Sequence, residues 1–334
     1  MNFVEKELTN SNRNLSQTTI KKYCIDINKL ALAITKKPIR NRAFLKKTDE
    51  IIKYIESLSN GCKKNYLCSI LTVLAPNKKV ISSSKNKAIP KRGYKKVYKV
   101  YSDYLNDFNI ENKKKASTKN DREKLNWIDW EIILKFQKEL YNNFIEKNVH
   151  KNTKYIARSD KLELLNLLCL SLYTLIPPRR LIYAKTLLLS YEDYIKYNDE
   201  KSDILDKNLF LVILDDDNKF FSFGKSIVKS KTKENLVINI PKELNDILNI
   251  FLVYHKGDFL LFRRGDETQM NKNELSKLLN TLFIKKFNKK ISCNMLRKIY
   301  ATHTCPKLNN NIARIANQMN HSVSTHIEHY VKPE

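Results

Sequence analysis

Three residues near the C-terminus have the types and spacing for chemistry on a phosphate. Arg297 sits in S-C-N-M-L-R-K-I-Y-A-T-H, His321 opens H-S-V-S-T-H-I-E-H-Y, and Tyr330 follows that histidine by nine positions. A phenol with an ordinary pKa near ~10 is a weak nucleophile. Cationic donors beside it change that, because they absorb the negative charge that develops on a phosphate under attack. A guanidinium forks onto two phosphate oxygens, and an imidazole donates to a third or orients the phenol. Asn294, three positions before Arg297, donates a hydrogen bond but cannot carry or relay a proton.

These residues need a scaffold. Ser292 is placed to cap a helix that turns Leu296 into the core and Arg297 outward. Upstream, Leu162–Leu175 is apolar enough to be a buried helix, and it runs into I-P-P-R-R at 176–180. The two prolines end the helix and hold Arg179 and Arg180 on a rigid turn. Alternation of β-rich residues predicts strands at Leu209–Leu214, Phe220–Phe223 and Leu236–Ile240, with a D-D-D-N turn at 215–218. Helical spacing predicts helices at about 127–144, 242–254 and 272–287. Nearer the N-terminus, helices are expected over 15–34 with Ser16 as N-cap, 48–58, 63–74 and 94–108. Residues 109–124, N-I-E-N-K-K-K-A-S-T-K-N-D-R-E-K, have the composition of a basic linker. The chain therefore reads as a helical domain at 1–108, a linker at 109–124 and a second domain at 125–334. The fold class is mostly α with a small antiparallel β-sheet (α+β).

The 334 residues carry a formal net charge of +27. That excess repels itself in a compact fold and calls for a polyanionic partner, of which a nucleic acid is the simplest. Lysines off the apolar faces are candidate DNA contacts: Lys21, Lys22, Lys63 and Lys64 on early helices, Lys113, Lys114 and Lys115 in the linker, and Lys229 further on. No apolar run reaches the ~18 residues of a membrane span. The first ten residues lack a basic-then-apolar signal pattern. Six cysteines form no C-x-x-C pair, which points away from zinc and disulfides and toward a reducing compartment. Gly224-Lys225-Ser226 lacks the glycine five positions earlier that a phosphate-cradling loop needs, since Lys219 stands there. No cofactor and no metal is called for.

The C-terminal stretch resembles the tyrosine recombinases and their relatives the type IB topoisomerases. Leu296-Arg297, Ala301-Thr302-His303, His321 and Tyr330 match the family stretches L-R-h-x-x-A-T-H and G-H-x-x-x-x-T-x-x-x-Y in order and spacing, and Thr325 stands one position before the threonine of the second stretch. Ser16, Thr19, Ile20 and Tyr23 match the S-x-x-T-I-x-x-Y that opens the family's helical core-binding domain. The resemblance implies a first catalytic arginine at Arg179, with Arg180 the alternative, because Pro177 and Ile182 replace the usual glycine and acid around it. It implies a hairpin lysine at Lys231 in K-S-K-T-K-E-N-L-V-I-N-I-P, with Lys225, Lys229 and Lys233 as competitors. Asn294 stands where histidine is usual, and Asn320 where glycine is. The P-P-R-R form resembles recombinases of large DNA viruses and their satellites. The implied activity is site-specific cleavage and rejoining of DNA through a 3′-phosphotyrosyl intermediate, by a tetramer on paired sites that is monomeric or weakly dimeric when free. It implies an intracellular setting: host cytoplasm or nucleus, or bacterial cytoplasm, with carriage in a virion open. A type IB topoisomerase, or a decayed relative that only binds DNA, is the alternative. His303, His326 and His329 are read as structural or exposed. The four residues after Tyr330 leave little to dock on a neighbouring subunit.

Overall fold

A computed structural model describes residues 3–82, 85–116, 118–148, 151, 155–227, 234–304, 312–320 and 322–332. The chain divides into two compact units, Met1–Lys114 and Lys115–Glu334.

The first unit is helical apart from one hairpin. Its helices are α1 (Phe3–Thr9), α2 (Gln17–Thr35), α3 (Thr48–Glu56), α4 (Asn60–Leu74) and α5 (Lys95–Ala116). Ser16 caps α2 by accepting from the Thr19 amide at 3.2 Å. Ile20, Ile27 and Leu30 of α2 pack with Ile51, Ile55, Leu67, Ile70 and Tyr101. Each recurs at the spacing that keeps one helical face inward. Lys21, Lys22, Lys64 and Lys113 are exposed and Lys63 is half-buried; Lys22 pairs with Asp26 at 3.2 Å. The side chains of Lys114 and Lys115 lie outside the described ones. Strands β1 (Asn77–Ser82) and β2 (Lys85–Ile89) pair antiparallel in a stretch without an expected element. Lysine density there masks the alternation that marks a strand. The stretch expected as a linker is instead helical to Ala116 and again in α6 (Asp121–Asn126).

The second unit is built on α8 (Arg158–Ser171), whose last residues are buried on all sides. A helix apolar all round belongs in the middle of a unit. Around it lie α7 (Trp130–Glu146), α11 (Lys242–Tyr254), α12 (Lys272–Phe287) and α13 (Cys293–Thr304). The four-stranded sheet runs in the order β3 (Thr186–Ser190), β4 (Leu209–Ile213), β5 (Lys219–Phe223), β6 (Leu236–Asn239). β4, β5 and β6 are antiparallel neighbours, but β3 is parallel to β4. The sheet is therefore mixed rather than purely antiparallel. The parallel pair is possible because α9 (Tyr191–Asp199) and α10 (Asp203–Lys207) supply the crossover that such strands require. Helix α14 (Ile312–Gln318) precedes the last turns of the chain.

Candidate functional site

Arg179 is placed by the end of α8. After Ser171 the chain turns, and Pro177-Pro178 deliver an extended segment in which Arg179 points inward and Arg180 outward. Arg179 is fully buried and Arg180 is exposed. The Arg179 guanidinium lies over the Phe223 ring, Cζ 3.8 Å from the centroid. Its Nη2 donates to the Asn317 carbonyl at 3.4 Å. Its Nε and Nη1 have no partner among the described residues. Burial, and secondarily the nearby Arg297, push its pKa down to about 10. It remains charged at neutral pH.

Arg297 is placed by α13. The Ser292 hydroxyl accepts from the Met295 amide at 3.3 Å, which fixes the helix start. Arg297 does not turn outward; it is fully buried. A charge survives there because its donors are spent on fixed acceptors. Nε donates to the Pro178 carbonyl at 3.2 Å, Nη2 to the Met319 carbonyl at 2.8 Å and Nη1 to the Tyr330 hydroxyl at 2.5 Å. Its Cζ lies 4.4 Å from the centroid of the Tyr330 ring. Burial lowers its pKa, and Tyr330 acts in the opposite sense. One turn earlier, the Cys293 thiol donates to the Arg179 carbonyl at 3.1 Å. Burial pushes that thiol up to about 11, so it stays protonated and serves as a brace.

Tyr330 ends a π-helical turn, His326–Tyr330, of a kind that often marks functional positions. Its ring packs with Ala301, Ile315 and Met319. Its carbonyl accepts from the Thr302 hydroxyl at 3.3 Å, and the same oxygen of Thr302 accepts from the Lys332 amide at 2.9 Å. Asn320 has φ 61°, the left-handed region that glycine enters most easily and asparagine next. That accounts for asparagine at a position where the resemblance leads one to expect glycine. His326 is buried, and burial together with Arg297 lowers its pKa.

Arg179, Arg297 and Tyr330 therefore share one neighbourhood, linked through carbonyls 178, 179, 317 and 319. A cavity of about 640 Å³ opens beside them. Its wall includes Arg179, Arg180, Lys185, Lys272, Asn294 and Asn320, and no acidic side chain among the described residues. Asn294 is exposed there. Arg297 and Tyr330 are buried and are not part of the wall. Lys231, Lys229, Lys233 and His321 lie outside the described residues. Lys225 is exposed and ion-paired to Asp206. Gly224, just before it, packs so closely on the Asp206 backbone that a Cβ would overlap it, which explains this glycine structurally.

Residue types alone pointed to none of Glu123, Lys298 and Lys332. Glu123 and Lys332 are buried, and Lys298 forms an ion pair with Glu123. The Asn120–Glu123 capping box is the one local signal that could have found the acid. His303 pairs with Glu131, Nδ1 to Oε1 3.2 Å, and His329 is exposed. No group of three or more metal-ligating side chains occurs among the described residues.

No protein-family model matches the chain, and no curated protein does. Among solved structures the chain is similar to XerA recombinase, with TM-score 0.37 at 12% identity, over 98% of this chain and 92% of that one. It is also similar to XerH site-specific recombinase bound to difH substrate in a pre-cleavage complex, with TM-score 0.49 at 14% identity, over 95% of this chain and 76% of that one. Among the described residues no helix is long and apolar enough to cross a membrane.

Proposed function

We propose that the chain is a DNA strand transferase of the tyrosine-recombinase type. The observation that carries this reading is the bond from the buried Arg297 to the Tyr330 hydroxyl, with the second buried arginine, Arg179, nearby and its Nε and Nη1 meeting no acceptor among the described residues. Two buried guanidiniums are costly in a purely structural protein. They become useful when a phosphate arrives to take their donors.

In this reading the Tyr330 oxygen loses its proton and attacks a backbone phosphorus. The P–O5′ bond breaks, a 3′-phosphotyrosyl ester forms, and the leaving 5′-oxygen takes a proton from Lys231. Arg179 and Arg297 hold the non-bridging oxygens, Asn294 donates from the cavity wall, and His321 contacts an oxygen or orients the phenol. The ester conserves the phosphodiester bond energy, so strand rejoining needs no ATP, and the side chains supply the positive charge in place of a metal. Double-stranded DNA is the partner and 125–334 the catalytic part. The helical residues 1–108, with Lys21, Lys22, Lys63 and Lys64, contact the duplex as well, together with Lys113, Lys114, Lys115 and Lys229. Site-specific recombination or integration by a tetramer on paired sites follows as the task.

A nicked suicide duplex tests this. Wild type is expected to form a covalent adduct and Tyr330→Phe none. An adduct at full yield from Tyr330→Phe would falsify the assignment of the nucleophile. Rapid relaxation of unrelated supercoiled plasmid by a monomer would move the task from recombination to topoisomerase action.

A further inference from the structure

We propose that Thr302, Glu123, Lys298 and Lys332 are positioning residues that clamp the Tyr330 segment over Arg297. This rests on the reading of Tyr330 as a nucleophile. Three contacts from α13 and α6 hold the last turn.

The first is a clip. Thr302, on α13 five residues after Arg297, gives its hydroxyl proton to the Tyr330 carbonyl at 3.3 Å and receives the Lys332 amide at 2.9 Å. One side chain thus fixes the backbone on both sides of Val331. The second is a buried charge cluster. Glu123 Oε2 accepts from the Asn120 amide at 3.1 Å and Oε1 accepts from Lys298; Lys332 is buried, and burial first and Lys298 second lower its pKa, with the Glu123 carboxylate acting in the opposite sense. Glu123 is 7% and Lys332 is 2% exposed, so this interaction is little screened by water. Burial alone would raise the Glu123 pKa. The Lys298 hydrogen bond, the Asn120 amide and the two ammonium charges outweigh it and hold the carboxyl below its ordinary value. The third contact is the phenol's own, to Arg297.

The helix that carries the phosphate-binding arginine therefore also carries Lys298 and Thr302, one and five residues further on. A buried lysine two residues past the tyrosine is hard to explain as surface solubility, because long cationic side chains seldom give up water without a partner. The same contacts limit the travel of the hydroxyl to a small rearrangement over Arg297.

The test has two arms. Amide exchange of residues 322–332 in the free protein needs no DNA. Thr302→Val and Lys332→Met are each expected to speed exchange in this segment about tenfold, the effect of about one net hydrogen bond. Thr302→Ser and Lys332→Arg should retain protection. Unchanged exchange in both disruptive variants would overturn the clamp. On suicide duplex, the same disruptive variants should slow adduct formation about 100-fold, as for a nucleophile displaced by about an ångström, with DNA affinity unchanged. If wild type forms no adduct on any duplex, the catalytic reading fails alone, and the exchange arm still decides the clamp.

Discussion

The Arg179 guanidinium stacks on Phe223 with 3.8 Å between Cζ and the ring centroid, while two of its N–H groups meet no acceptor among the described residues. Stacking returns about 0.5–2 kcal/mol. Leaving a buried cation partly unpaired costs more than that. Arg179→Met, which fills the volume without the charge, should therefore leave the free protein as stable or more stable, while adduct formation is lost. Thermal unfolding beside suicide-duplex cleavage checks both. A clear fall in Tm would mean that Arg179 serves the fold.

Tyr330→Phe should act on stability as well as on cleavage. Removing the hydroxyl takes away the acceptor that the buried Arg297 Nη1 uses. An unsatisfied donor there costs about 1–3 kcal/mol. Urea unfolding should show a loss of that size, with the m-value unchanged. No loss would show that the bond from Arg297 is not populated in the free protein.

The helices were legible where a cap or an apolar stripe was intact. Ser16, Ser292 and the all-apolar run of α8 each mark an element the structure contains. Strand β3 was not legible, because T-L-L-L-S has no period-2 signal. The β1–β2 hairpin was hidden by lysines. At the candidate site, residue types single out Arg179, Arg297 and Tyr330, which the structure brings together, yet the inward direction of Arg297 is not legible: helix position alone does not show that carbonyls 178 and 319 wait on the other side. Lys332 and Glu123 were illegible for a related reason. Their meaning lies in a tertiary meeting of segments roughly two hundred residues apart, and sequence carries no mark of it.

Asn320 offers a backbone prediction. At φ 61° a β-branched side chain collides with its own carbonyl, at a cost of about 1–2 kcal/mol. Asn320→Gly should be tolerated in stability and cleavage, and Asn320→Val should lose about that much stability. The turn also supplies the Met319 carbonyl to Arg297, so Asn320→Val should slow adduct formation too. Equal behaviour of the glycine and valine variants would contradict the left-handed turn.

The buried His326 makes the site sensitive to pH. Burial and the adjacent Arg297 both disfavour its protonated form, so its pKa in the folded chain lies below the ordinary 6.5. The unfolded chain then takes up the proton first as pH falls. Stability from keeping His326 neutral is complete above about pH 6.5 and is lost as pH drops from there toward the depressed folded value. His255 is buried too, with a lowered pKa, and adds a loss of the same sign. Glu123 contributes only at lower pH, because its lowered pKa keeps it ionised through this range. His326→Gln should therefore flatten part of the decline in unfolding free energy between about pH 7 and 5, and His326→Gln with His255→Gln should flatten more. The slope is set by the difference in bound protons between the two states, so the measurement is independent of how the substitutions change stability at pH 7. A variant whose slope equals or exceeds that of wild type would mean that His326 is protonated in the folded chain, with a second positive charge beside Arg297.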